Sequence, residues 1–252
     1  MTTALIDADL IAYRCAATCE EFDTSEVAIQ RCFYLTEQIL HSTQADAYTL
    51  YLTGSDNFRK KINPEYKANR KDKPRPKWLQ DCREALVTQW GAIVTDGIEA
   101  DDAMGMNQTE TTVICSLDKD MLQVPGTHYN WVRDETTFVT PTMGLKSFWT
   151  QMLVGDVADN IFGIRGLGPV KAGRILDPII HDSLEELNEA YYKTVHALYN
   201  DLGRLHSNAS CLWILRNETD LCVKPWLPAS ERQESPVMES IEVDLNASLQ
   251  QP

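Results

Sequence analysis

Short apolar runs alternate with longer stretches of helical spacing through the first 140 or so residues. "TALIDADLIAYRC" opens on an apolar run at residues 4–6, breaks at Asp7-Ala8-Asp9 and continues with helical character. In "EVAIQRCFYLTEQILHS" (26–42) apolar residues at 29, 32, 33, 35, 39 and 40 recur mostly at helical intervals. "AYTLYL" (47–52), "AIVTD" (92–96) and "TTVICS" (111–116) read as strands, with "HYNWV" and "TFVTP" as two further candidates. "WLQDCREALVTQWG" (78–91) reads as a helix stopped by Gly91, and "EADDAMGMNQ" as the start of the next. From 145 onward the period is helical, in "LKSFWTQMLV" and "SLEELNEAYYKTVHALYND".

Strands alternating with helices at these lengths predict parallel crossover units, hence an α/β fold with a mostly parallel central sheet flanked by helices. Residues 1–144 would form that core and 145–226 a helical part packed on it. Residues 227–252, with five acids, one Arg and few aromatics, would form a loosely ordered acidic tail. No apolar run approaches the roughly 20 residues that span a bilayer. The N-terminus lacks a basic leader and reaches an acid by residue 7, so no secretion signal or membrane contact is expected, and a cytoplasmic location is. Seven cysteines without Cys-x-x-Cys and five scattered histidines offer no zinc framework. Thiols should stay reduced, and any metal should be held by oxygen, as magnesium and manganese are.

Net charge changes the picture. At −14 the whole chain looks unsuited to a polyanion. Residues 59–77, "RKKINPEYKANRKDKPRPK", nevertheless hold nine of the 23 Lys and Arg against only Glu65 and Asp72. That is a net +7 which, taken from −14, leaves the remainder at −21. One basic strip is set against an acidic body.

The acids are grouped. Asp118 and Asp120 in "SLDKDMLQV" would point the same way on an extended backbone. Like charges that close repel unless a cation intervenes; alone, such a pair reads as a solvated loop. Asp7 and Asp9 follow the first strand, and Glu99, Asp101 and Asp102 open the helix after the third, where acids also suit a helix N-terminus. Asp156 and Asp159 in "GDVADN" share a helical face. In an open parallel sheet the C-terminal strand ends share one edge, where ligands bind, so the three groups that fall just beyond predicted strands would converge there. Divalent ions would supply the missing counter-charge, and two of them about 4 Å apart can clamp the attacking and leaving oxygens of a phosphodiester.

Two segments suit phosphate. In "NIFGIRGLGPVKAGRIL" (160–176), Gly163, Gly166 and Gly168 permit a tight turn and Pro169 suits a first helical turn. N–H groups at that helix start, with Lys171 and Arg174, can take a phosphate oxygen. No short strand is read before it, so a helix-hairpin-helix on a DNA backbone fits better than a dinucleotide fingerprint. In the basic strip Arg59, Lys60, Lys61, Lys67, Arg70 and Lys71 interleave with Phe58, Tyr66 and Trp78: cations for phosphates, rings for unpaired bases. Pro74 and Pro76 forbid a continuous helix, so the strip should be partly flexible.

Together and in this order, "LIDADLIAYR", "NFRKKINPEYKANRK", "IEADDAMG", "ICSLDKDMLQVP", "GDVADNIFGIRGLGPVKA" and "LWILRNETDLCVKPWLP" resemble the 5′-nuclease (flap endonuclease) superfamily. More closely they resemble the 5′→3′ exonucleases of short-tailed bacteriophages, from about residue 4 to 228. The resemblance implies a basic helical arch at about 56–78 over a site for two Mg²⁺ ions, with Mn²⁺ as a substitute. It also implies a helical hairpin holding duplex, with K⁺ as a candidate occupant of residues 163–168. The expected activity is cleavage near the 5′ ends or flaps of duplex DNA, and of RNA in RNA–DNA hybrids, in phage-type replication or recombination. The host cytoplasm would then be the location, and the acidic tail a dock for a replication protein. By motif position Asp7, Glu99, Asp101, Asp102, Asp118, Asp120, Asp156 and Asp159 would be the carboxylate set, and Arg59, Lys67 and Arg70 the arch contacts.

The sequence departs from the superfamily after the second strand, where Thr53, Gly54 and Ser55 stand and Asp56 is displaced. Asp56 fills the role after a local shift, Asp9 compensates, or one ion is held more weakly. Two other readings compete. A haloacid-dehalogenase-type phosphatase would use Asp7 as nucleophile and Asp9 as acid/base, but leaves Glu99, Asp101 and the basic strip unexplained. A non-catalytic helix-hairpin-helix module would hold DNA but leaves the acids unexplained.

Overall fold

The computed structural model describes residues 1–19 and 22–232. Its centre is a six-stranded sheet ordered β3-β2-β1-β4-β5-β6. The strands are β1 (Thr3–Asp7), β2 (Ala47–Thr53), β3 (Ile93–Thr95), β4 (Thr112–Cys115), β5 (Gly126–Asn130) and β6 (Glu135–Val139). All pairs are parallel except β5 with β6. Alternation sorts the strand side chains: Ala4 and Ile6 pack on one face and Leu5 on the other, all buried.

On the Ile6 face lie α1 (Ala8–Ala17), α2 (Ser25–Thr43) and α4 (Leu79–Trp90). The Leu5 face carries α5 (Ala100–Met106), α6 (Pro141–Val154), α8 (Leu184–Leu198) and α9 (Leu202–Leu212). Strand order runs one way from β1 to β3 and the other way from β4, so β1 and β4 bound the crevice at which the chain reverses. Asp7 ends β1, and Asp118 follows β4 by three residues.

One continuous core joins Leu5 and Ile114 of the sheet to Trp149, Tyr192, Trp213 and Trp226. Three expectations need revising. The expected tail begins inside the body: Leu227 is buried, Tyr192 donates to Glu231 at 2.7 Å, and Arg232 Nε donates to the Leu227 carbonyl at 2.8 Å. The rest of that tail, 233–252, lies outside the described residues. The arch is helical only in α3 (Phe58–Ile62) and a 3-10 turn at Ala68–Arg70. Finally, a two-stranded ladder, β7 (Gly155–Asp156) with β8 (Ile161–Phe162), separates α6 from α7 (Pro169–Leu176), where no strand was read. The ladder is antiparallel and local, so the dinucleotide reading gains nothing from it. A Cβ on Gly163 would sit 2.4 Å from the Gly155 nitrogen, which is why glycines make the crossing. Among the described residues no helix is long and apolar enough to cross a membrane.

Candidate active site

Beyond the C-terminal ends of β1 and β4 opens a cavity of about 1500 Å³ whose wall includes Asp7, Asp9, Glu99, Asp101, Asp118, Asp120 and Asp159. Four separate stretches of chain thus deliver acids to one space. Asp7 caps α1, accepting from Leu10 N at 3.1 Å, and its other oxygen accepts from Ser116 Oγ at 3.0 Å. Ser116 Oγ also receives Asp118 N at 3.1 Å, tying the loop after β4 to the end of β1.

The Asp118–Asp120 pair is not extended. Asp118 caps a 3-10 turn, Lys119–Gln123, and accepts from Asp120 N at 2.9 Å. Asp118 acts electrostatically on Asp7, Asp101 and Asp120, and Asp120 also on Asp156. Burial, then Asp118 and a hydrogen bond to Asp156, push the Asp120 carboxyl up to about 8. Burial acts on Asp156 too, but the Asp120 hydrogen bond and the N–H groups of Asp159 and Ala158 outweigh it and hold Asp156 low. Asp120 and Asp156 are hydrogen-bonded, and Asp156 is absent from the cavity wall.

Asp7 is pushed up to about 7 by burial first, then by Asp9. Asp101 is held well above the carboxylate range by burial, then by Asp7, Asp118 and Glu99. These groups disfavour negative charge until a cation enters. For Asp7 and Asp120 the proton is bound more tightly in the folded chain. The stability this contributes is complete below about pH 4 and is lost as pH climbs through about 7 and about 8. In chelator the melting temperature should fall from pH 5 to pH 8.5, and fall less in the Asp7→Asn, Asp120→Asn double variant. Identical slopes by circular dichroism would contradict the burial of charge there.

Cations complete the wall. Lys67 Nζ donates to Glu99 at 2.6 Å and lies 3.7 Å from Asp159; Arg70 reaches Asp159 at 2.7 Å and the Ala158 carbonyl at 3.0 Å. Glu99 also accepts from Asn57 Nδ2 at 2.6 Å and Tyr66 Oη at 3.0 Å. Burial would raise Glu99, but Arg59 and Lys67 more than offset it and its carboxyl is held low. Lys60 and Lys71 lie along the same wall, while Lys61 turns to Asp56 at 3.3 Å.

Several expected site residues do other work. Asp102 and Arg59 are buried and paired through both guanidinium ends at 2.5 and 2.8 Å. Asp102 is absent from the cavity wall, because α5 turns it inward while Asp101 faces out; Arg59 touches the wall, but its guanidinium is taken up by Asp102. Tyr66 and Phe58 are core residues, so their rings offer no stacking surface. Tyr66 instead spans Glu99 and Asp159 with its hydroxyl. Asp56 is exposed, bound to Lys61, and absent from the cavity wall. In the hairpin Gly166 has φ +82° and Gly168 faces open space, but Lys171 Nζ already sits on the Gly166 carbonyl at 2.9 Å. Arg174 lies on the last turn of α7.

Sequence reasoning missed Ser116, Asn57, Arg83, Gln123 and Gln151. Gln123 donates to Gln151 at 2.6 Å and to the Leu212 carbonyl at 2.9 Å, and Gln151 reaches Asp156 at 3.4 Å. No spacing marks such an amide relay, since its members come from distant elements.

Among the described residues no three acid, imidazole or thiol side chains already close on one point. The donor chemistry still fits hard divalent ions: carboxylate oxygens dominate, Asp7, Asp101 and Asp118 repel one another with no cation among the described residues paired to them, and Mg²⁺ takes only one or two carboxylates beside water and phosphate.

Residues 2–150 match the family model described as 5′-3′ exonuclease, N-terminal resolvase-like domain. The chain is 30% identical over 210 residues to the exodeoxyribonuclease of Enterobacteria phage T3, covering 73% of this chain and 69% of that one. It is 29% identical over 203 residues to the exonuclease of Escherichia phage T7, covering 70% and 67%. In three dimensions it is similar to the bacteriophage T5 D15 flap endonuclease, solved as a pseudo-enzyme–product complex with DNA and metal ions. The TM-score is 0.64 at 15% identity, over 88% of this chain and 91% of that one.

Proposed function

Because this chain belongs to the 5′-3′ exonuclease family, we propose that the cavity binds duplex DNA at a 5′ end or flap and cuts it with two Mg²⁺ ions, Mn²⁺ substituting. The observation that carries the reading is the convergence of Asp7, Glu99, Asp101, Asp118, Asp120 and Asp159 on one space also lined by Lys67 and Arg70. Asp7, Asp101, Asp118 and Asp120 would hold the ions, Asp120 giving up the proton that now bonds it to Asp156 as an ion enters. Bound there, divalent ions would lower the pKa of water and offset charge on the phosphodiester. Lys67 and Arg70, now bonded to Glu99 and Asp159, would exchange those acids for a phosphate oxygen and draw the strand to the carboxylates. Gly166 and Gly168, with Arg174, would present the hairpin to the duplex backbone. A K⁺ ion at 163–168 would share the Gly166 carbonyl with Lys171. RNA–DNA hybrids are proposed as further substrates, and a replication protein as a partner of the acidic C-terminal segment.

A phosphatase using Asp7 as nucleophile is disfavoured, since Asp7 is buried with both oxygens engaged. The test is 5′-labelled duplex in Mg²⁺ beside a small phosphate monoester. Early release of short labelled products, stopped by chelator, is the expected result. Retention of DNA without cutting, or turnover of the monoester alone, would overturn it. Replacing Lys67 and Arg70 by Ala should weaken binding to DNA ends and reduce the salt slope by about 1 to 2, read by titration at several salt concentrations. An unchanged slope would count against both contacts.

A further inference from the structure

The cavity runs past the acids to a wall made by α4, where Arg83 occupies a built corner. Its guanidinium binds one oxygen of Asp9 and donates to the Thr53 carbonyl at 2.6 Å. The other Asp9 oxygen accepts from Thr53 N at 2.7 Å. Gly54 follows immediately, and a Cβ there would lie 2.1 Å from the Thr95 carbonyl oxygen, so the end of β2 is pressed against the end of β3. Arg83 is thereby anchored to α1, β2 and α4 at once.

The anchoring leaves capacity. The Arg83 side chain is 22% exposed, and two of the five N–H donors of a guanidinium take partners among the described residues. Beside the acids after β3 and β7, Lys67 is engaged by Glu99 and Arg70 by Asp159. Both Asp9 oxygens are engaged, one by Arg83 and one by Thr53 N, so Asp9 holds the guanidinium in place.

We propose that Arg83 binds a non-bridging oxygen of a backbone phosphate on the nucleic-acid strand entering the cavity, with Asp9 as its positioning carboxylate. The inference rests on the nuclease reading and adds the contact on the wall formed by α4. A strand passing Asp7, Asp101 and Asp118 is repelled by those acids, and a fixed positive group on the α4 side of the cavity offsets that repulsion. A guanidinium suits this: it is charged at all working pH values, forked to match phosphate, and here already immobilised, so little side-chain entropy is lost on binding.

The experiment compares wild type, Arg83→Ala, Arg83→Lys and Asp9→Asn on a DNA duplex with a single-stranded 5′ flap. Equilibrium binding is measured in chelator against salt, and kcat and KM in Mg²⁺. Arg83→Ala should weaken binding about tenfold and reduce the salt slope by about 1. Arg83→Lys should keep the slope while losing part of the affinity, which supports the contact even where the Ala variant folds poorly. Asp9→Asn should raise KM more than it lowers kcat, with the slope kept. A slope unchanged in Arg83→Ala, in a background where wild type cuts the flap, makes Arg83 a strut and overturns this inference alone. Wild type that neither binds nor cuts the flap overturns the nuclease reading and this inference with it.

Discussion

Asp101→Asn should leave the protein folded and able to hold DNA while cleavage in Mg²⁺ falls by more than about 100-fold, beyond the 10–100-fold typical of groups one bond removed from an ion. The reason lies in where the charge sits. Asp101 is deep in the cavity, and burial together with Asp7, Asp118 and Glu99 opposes its ionisation. An amide of the same shape removes that repulsion, so in chelator the variant should melt no lower than wild type, and should bind a polyanion no more weakly. What it lacks is an anionic oxygen for a divalent ion. Single-turnover cleavage, melting in chelator and DNA affinity separate these effects. Cleavage within a few-fold of wild type would remove Asp101 from the ion set.

The elements were legible because their signals are local. The unbroken apolar run Ala4-Leu5-Ile6 reports a strand buried on both faces, and the helical spacing in 26–42 reports a helix buried on one, and burial selected them. The acids after β1 and β4 were legible because strand direction alone sends them to one edge. Asp101 and Asp102 could not be told apart, since both open a helix and only the partner across 43 residues, Arg59, decides which turns inward. Arg59 and Tyr66 were misjudged for a related reason. A charge run interleaved with aromatics suggests a solvated arm, yet carbonyls at Cys211 and Trp213, about 150 residues away, draw Arg59 into the interior. Arg83 sits in an ordinary amphipathic helix, and its meaning appears only when Asp9 and Thr53 stand beside it.

Asp102→Asn should do the opposite of its neighbour, lowering stability by about 3–5 kcal/mol, the cost of breaking a buried ion pair from one side. On a chain of this size that is a loss of roughly 10 °C in melting temperature. Arg59 is 2% exposed; besides Asp102 it donates to the carbonyls of Cys211 at 2.8 Å and Trp213 at 2.9 Å. Asp102 in turn accepts from Glu99 N and Leu215 N, each at 3.0 Å. The pair therefore fastens three things together: α3 at the base of the arch, the start of α5, and the chain after α9. Neutralising Asp102 strands the guanidinium in the interior, with Glu99 4.0 Å away as the remaining acid. The loss should be the same with and without Mg²⁺, because Asp102 does not line the cavity. Replacing both residues together, Arg59→Met with Asp102→Leu, should recover much of it, since removing a buried pair whole avoids the unpaired charge. An Asp102→Asn protein that melts like wild type but has lost cleavage would return Asp102 to the ion-binding set.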